Sequence, residues 1–220
     1  MEQSIEFFSG FNINDILFLG EAAWRTLLIS IVSIFLGTVL GVVFGWVLYE
    51  GKVFATTALA AVLDVFRSVP LIIQLVLFYN FAPIVGLILD PFISGVAVLT
   101  IYAAAVVANV ARGGIEAVGL PMRRASRSLG MTYWQDLRYI VLPIGGRAVF
   151  PSWVGVALGV MKDSALVSVL GYVELLKASQ ILITRTQEPF LILAFAGAFY
   201  FALSYPISLY AERLEKRWAQ

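Results

Sequence analysis

Lys162 and Asp163 stand side by side in an otherwise apolar run from Ala148 to Val173. On a helix such neighbours point about 100° apart, so they cannot share one ion-pair face and each needs a partner of its own. A charge inside an apolar run of this length costs about 2.5 to 3.5 kcal/mol on insertion scales and persists where a cavity, an ion or a partner uses it. On one reading Asp163, with Lys162 and Ser164, lines a route for a cationic or zwitterionic solute. On the other, the pair ends a helix or bonds to neighbouring helices for packing. Asp64 and Arg67, three residues apart, share a helical face and are read as a structural salt bridge. Pro70 just beyond them removes a backbone donor and invites a kink. Gln74 and Asn109 are polar groups in apolar surroundings, explained equally by hydrogen bonds between helices and by solute contact.

The elements that must position these groups lie in lipid. Of the 220 residues 60% are apolar and only 13% charged, too little polar surface for a water-soluble fold. The chain contains neither Cys nor His, which removes thiol chemistry, disulfides, most zinc sites and any His-based acid–base mechanism. An enzyme or a metal centre is therefore not expected. Glu2, Glu6, Asp15 and Glu21 occupy the region where a cleaved secretory signal would carry basic residues, so no such signal is read here.

Apolar stretches predict five membrane-spanning helices, at about 24–49, 54–82, 91–111, 147–173 and 188–212, in one transmembrane domain covering 1–220. Helices are required because open sheet edges are not tolerated in lipid. With the N-terminus outside, the inner segments hold Lys52, Arg112, Arg123, Arg124, Arg127, Arg138, Arg147, Arg213, Lys216 and Arg217, ten of the fifteen basic residues. The positive-inside rule thus predicts the N-terminus outside and the C-terminus inside. Trp24, Trp46, Trp134 and Trp218 fall near the expected ends or in the inner loop, as interface anchors do. Gly37, Gly41 and Gly45 form a small-residue ridge that permits close helix approach.

The longest polar segment, 119–145, reads as two short helices meeting at Gly130, a helix–turn–helix able to insert into a groove on a soluble partner. Within it Arg124-Ala125-Ser126, three residues, Gly130, nine residues, Ile140, one residue and Leu142-Pro143 follow in order. This spacing resembles the EAA loop of ABC importer permeases, Glu-Ala-Ala, three residues, Gly, nine residues, Ile, one residue, Leu-Pro. Phe66-Arg67-Ser68-Val69-Pro70-Leu71 with Gln74-Leu75 is similar to the Phe-Arg-Gly-Thr-Pro-Leu segment of the polar amino-acid permeases. Tyr102-Ala103-Ala104, Arg112-Gly113-Gly114-Ile115 and Lys162-Asp163-Ser164-Ala165-Leu166-Val167 look like further signatures of that family, in the family's order. There are departures: Arg124 stands where the family has Glu, Leu120-Pro121 and neighbours replace a Gly-Gln, and Asn109 stands where many relatives carry Glu.

The resemblance implies an all-α permease of the type I importer fold, coupled through 119–145 to a cytoplasmic ABC ATPase dimer that binds the ATP and Mg, with no cofactor on this chain. It also implies a periplasmic or lipid-anchored amino-acid-binding protein and a location in the bacterial cytoplasmic (inner) membrane. The reversed charge at Arg124 points to a heterodimer with a second permease subunit, a homodimer being the alternative. The basic residues 123, 124 and 127 are read as topological and as part of the docking loop, with membrane lipid but no nucleic acid as partner. The competing classes are an ion-gradient-driven transporter or channel using Lys162 and Asp163, and a membrane scaffold.

Overall fold

A computed structural model describes residues 12–218, and every regular element among them is helical. The acidic residues Glu2 and Glu6 lie outside the described residues. Asn12 begins the chain's first helix, α1 (Ile13–Glu50), through a reciprocal cap: its side chain accepts from the Asp15 amide while the Asp15 carboxylate accepts from the Asn12 amide. At 38 residues α1 is about 57 Å long, far more than roughly 30 Å of hydrocarbon, so it extends beyond the expected span.

The second expected span, 54–82, is not one straight crossing. It divides into α2 (Val53–Ser68) and α3 (Leu71–Phe81), and the latter with a short 3₁₀ turn to Val85 is bent by 102° from the former. Pro70 is the cause, since its ring pushes Val69 out of the helical region, to φ −80° and ψ 130°. The Gln74 side chain closes the corner, donating to the carbonyls of Phe66 and Val69 at 2.7 Å each and so satisfying carbonyls that the broken helix leaves open.

α4 (Pro91–Glu116) starts at Asp90, whose side chain caps the Ile93 amide at 2.8 Å, with Pro91 in the first turn. α5 (Leu120–Ser128) follows, and Gly130 turns the chain at φ +87°, a conformation glycine adopts without strain. The second half of the expected helix–turn–helix is not a separate short helix. α6 (Tyr133–Asp136) runs through a π-helical turn, Leu137–Val141, directly into α7 (Leu142–Asp163), and a 3₁₀ stretch carries the rod to Leu170. The wide turn precedes Pro143, whose missing N–H and bulky ring would disrupt regular α-helical pairing at this point. α8 (Leu175–Thr186), where the sequence suggested only an outer loop, is a capped helix packed with α1 and α9 (Pro189–Trp218) around Leu19, Leu175, Leu182 and Ile192. Four rods, α1, α4, the 133–170 helix and α9, are long and apolar enough to cross a membrane, and the bent α2–α3 pair makes five.

α4 is the post against which the others pack. The glycine ridge of α1 lies on it so closely that a Cβ on Gly37 would come within 2.5 Å of the Ala103 Cβ. One on Gly41 would come within 2.6 Å of the Val107 Cβ, and one on Gly45 within 2.6 Å of the Ala108 carbonyl. Further along α4, Gly114 meets Gly145 of α7 backbone to backbone, leaving no room for a Cβ on Gly145. Gly41→Leu should therefore overpack the α1–α4 contact at a cost of about 1 to 3 kcal/mol. The expected result is a lowered melting temperature of the detergent-solubilised protein, with Gly20→Leu, whose Cβ meets nothing within 4 Å, unchanged.

Candidate functional site

The loop end of the molecule is organised by a carboxylate. Asp136, 1% exposed, accepts from the Ser126 hydroxyl at 2.6 Å and from Arg123 Nε at 3.0 Å, tying α5 to the first turn of the long helix. Arg123 reaches on to Glu50 at 3.3 Å and lies over the Tyr49 ring, 5.5 Å from its centroid, both at the end of α1. The Tyr133 hydroxyl donates to Glu50 at 3.1 Å and accepts from the Trp46 indole at 2.8 Å. Three helices are thus joined through one polar cluster. Burial alone would push the Asp136 carboxyl up, but Ser126 and Arg123 outweigh it and hold it below the ordinary carboxylate value. Burial likewise works against the charge on Arg123, and Asp136, Tyr49 and Glu50 more than compensate, raising its pKa.

Sequence reasoning missed the central members of this cluster. A signal was present: Asp136 is the one acidic residue between Glu116 and Asp163, in a segment otherwise rich in arginine. Among the residues the motif singled out, Arg124 and Ala125 are exposed on α5, and Arg124 has no ion pair among the described residues. Ser126 is buried in the cluster, Gly130 makes the turn, Ile140 is half-buried in the π-helical turn, and Leu142 and Pro143 are exposed at the start of α7.

The second constellation lies along α2, α4 and the end of α7. Lys162 and Asp163 sit at the α-to-3₁₀ junction that closes α7. Lys162 is exposed and Asp163 half-buried, and among the described residues neither forms an ion pair. Ser164 turns the other way: it is fully buried, with its hydroxyl 2.7 Å from the Met161 carbonyl and 3.1 Å from the Ser30 hydroxyl of α1. Arg67 pairs with Asp64 at 3.0 Å, both exposed. Tyr102 of α4 is half-buried. Asn109 is exposed on α4 and makes only a 3.4 Å bond to the Ala105 carbonyl of its own helix. Gln74 gives its amide N–H groups to the bend, while its carbonyl oxygen is buried without a hydrogen-bond partner among the described residues. The arrangement therefore offers a polar, charge-bearing face within an apolar bundle, and a rigid polar joint at one end of it.

A family model described as a binding-protein-dependent transport system inner membrane component matches residues 33–220. The chain belongs to this family. It is 28% identical to the probable glutamine ABC transporter permease protein GlnP of Bacillus subtilis, over 97% of this chain and 99% of that protein. It is 33% identical to the probable glutamine ABC transporter permease protein GlnM of the same bacterium, over 71% of this chain and 73% of that one. Among solved structures, an amino acid ABC transporter crystallised with histidines superposes at a TM-score of 0.82 and 26% identity, covering 95% of this chain and 100% of that chain. The protein is thus a multi-pass permease subunit of an ATP-driven importer with the type I importer fold, a transport component and not an enzyme.

For this permease, Asp136→Ala should leave Arg123 buried without its carboxylate, a loss of about 3 to 5 kcal/mol in docking α5. In reconstituted transporter we expect nucleotide hydrolysis to persist while uptake per ATP falls. Equal loss of both would show that the variant simply unfolds. Because the native pKa of Asp136 is depressed, its contribution is complete above about pH 4 and is lost as pH falls through the lower native value, so coupling should not vary with this group near neutrality.

Proposed function

We propose that this permease moves a polar amino acid or a similar small polar solute inward across the bacterial cytoplasmic membrane by alternating access. The chain acts as one transmembrane domain, with the N-terminus outside and the C-terminus and the 119–145 loop inside. The distribution of Lys and Arg supports this orientation. An ABC ATPase dimer, which binds the ATP and Mg, receives α5; a binding protein, periplasmic or lipid-anchored, delivers the solute from outside. The named relatives, glutamine permeases and a transporter crystallised with histidines, support the amino-acid class. The single observation that carries the solute route is Asp163: half-buried at the end of α7 and without an ion-pair or hydrogen-bond partner among the described residues. A solute ammonium group would supply the missing counter-charge.

Five crossings are too few to enclose a pathway, so a second permease subunit completes it. The exposed Arg124, in the place where the family's loop has an acid, supports a heterodimer whose other subunit keeps the acidic loop. Mass measurement of the purified assembly tests this, and two copies of this chain with no second permease would rule it out.

Transport is tested in proteoliposomes holding the complete assembly. Uptake of glutamine, histidine or arginine should require internal ATP and the binding protein, and uptake driven by an ion gradient alone would overturn the reading. Asp163→Asn should lower uptake at limiting solute by about tenfold, the equivalent of one charge-assisted contact of about 1.4 kcal/mol, while basal ATP hydrolysis is retained.

A further inference from the structure

Between α1, α4 and the 133–170 helix runs a groove of about 340 Å³, lined wholly by apolar groups that include Val42 and Trp46 of α1, Ala111 of α4, and Leu137, Gly146 and Val149. A second volume of about 180 Å³ shares Val42, Ala111, Gly146 and Val149 with it and continues towards Trp153 and Thr38, so the two form one seam. At its deep end the Trp153 indole donates to the Thr38 hydroxyl at 3.0 Å, leaving no free polar group there. From Leu137 to Trp153 the helix rises about 24 Å, somewhat more than the roughly 15 Å of one hydrocarbon leaflet.

The loop end of the seam carries the marks of a membrane surface. Trp46 and Trp134 lie 6.3 Å apart there, aromatic rings of the kind that settle at headgroup level. Arg138, next to the groove-lining Leu137, is exposed, lies over the Tyr139 ring at 5.9 Å and has no ion pair among the described residues. A dry slot longer than one leaflet, with an unpaired cation next in the chain to its lining residue Leu137, matches a molecule with an apolar tail and an anionic head.

We propose that this seam is a binding site for an anionic phospholipid, one acyl chain in the groove and the phosphate at Arg138. The site has a mechanical consequence. Leu137 and Val141, which bound the π-helical turn joining the loop to α7, form part of its wall, so a seated chain braces the joint through which loop movement reaches the membrane. The inference rests on the inward placement of the loop proposed above.

The test uses the whole transporter in nanodiscs, with phosphatidylglycerol or phosphatidylcholine bearing a photoactivatable group in the acyl chain, and adducts mapped by mass spectrometry. Phosphatidylglycerol should label α1 around 42–46 and the helix around 141–149, about fivefold above phosphatidylcholine. Gly146→Leu, at a position where a Cβ meets nothing within 4 Å, should abolish labelling with the assembly intact by size and melting temperature. Arg138→Gln, at an exposed position, should leave labelling but erase the preference between the two lipids. Equal labelling by both lipids in the unaltered protein, labelling spread evenly over the exposed face of α9, or adducts absent because a second copy of this chain cross-links into the groove would each overturn the proposal. Labelling is read without transport, so a failure of ATP-driven uptake bears on the proposed function and leaves this result standing.

Discussion

In a bilayer the lipid tails are as apolar as leucine, so helices gain little by merely hiding side chains from their surroundings and depend on close packing instead. The permease meets this constraint with glycine. Gly37, Gly41 and Gly45 let α1 lie on the small residues of α4, and Gly114 opposite Gly145 lets α7 approach α4 until the backbones touch. With both contacts in place, α4 becomes a fixed reference for the end of α7, the corner after α2 and the loop. Distances in the candidate site have meaning because this post does not move independently of its neighbours.

The two ends of the bundle use polarity differently. At the loop end the charged groups are matched: Asp136, Arg123, Glu50, Ser126, Tyr133 and Trp46 join three helices with a hydrogen bond for nearly every polar atom, which makes a stiff connection. Along α2, α4 and the end of α7 the groups are left open: among the described residues Asp163 and Lys162 lack ion-pair partners, and Arg67 keeps only the exposed Asp64. A transport subunit needs both arrangements. In the proposed mechanism matched charges transmit force without yielding, and unmatched ones cost energy that a passing solute relieves.

The corner at Pro70 joins these two regimes. A straight helix over 54–82 would carry Arg67 and Gln74 along one rod. The 102° bend instead turns α3 away from α2, while Gln74 spends its amide on the carbonyls freed at the corner. The amide N–H groups of this candidate solute contact are thereby used on backbone that proline disrupted, and its carbonyl oxygen keeps no partner among the described residues. Ser164 follows the same logic, since its hydroxyl is held between the Met161 carbonyl and Ser30. Side chains of the right type for chemistry can be taken up by the structure's own unsatisfied groups.

Much was legible in the chain because it depends on local patterns. Apolar run length set the helical membrane class, Gly130 the turn, the glycine interval the α1 ridge, and the three-residue spacing the Asp64–Arg67 pair. The motif order in the 119–145 loop pointed to an importer permease, and the family match agrees. What stayed hidden needed partners distant in sequence. Arg123 turns inward and Arg124 outward because Asp136, thirteen residues beyond Arg123, lies on only one side of α5. Which groups of α2, α4 and α7 share a neighbourhood depends on helix crossings that no periodicity encodes. α8 was obscured because its apolar face, too short for a span, becomes stable only against α1 and α9. One-dimensional spacing determines which face of a helix a residue occupies, and only the packed bundle decides what that face meets.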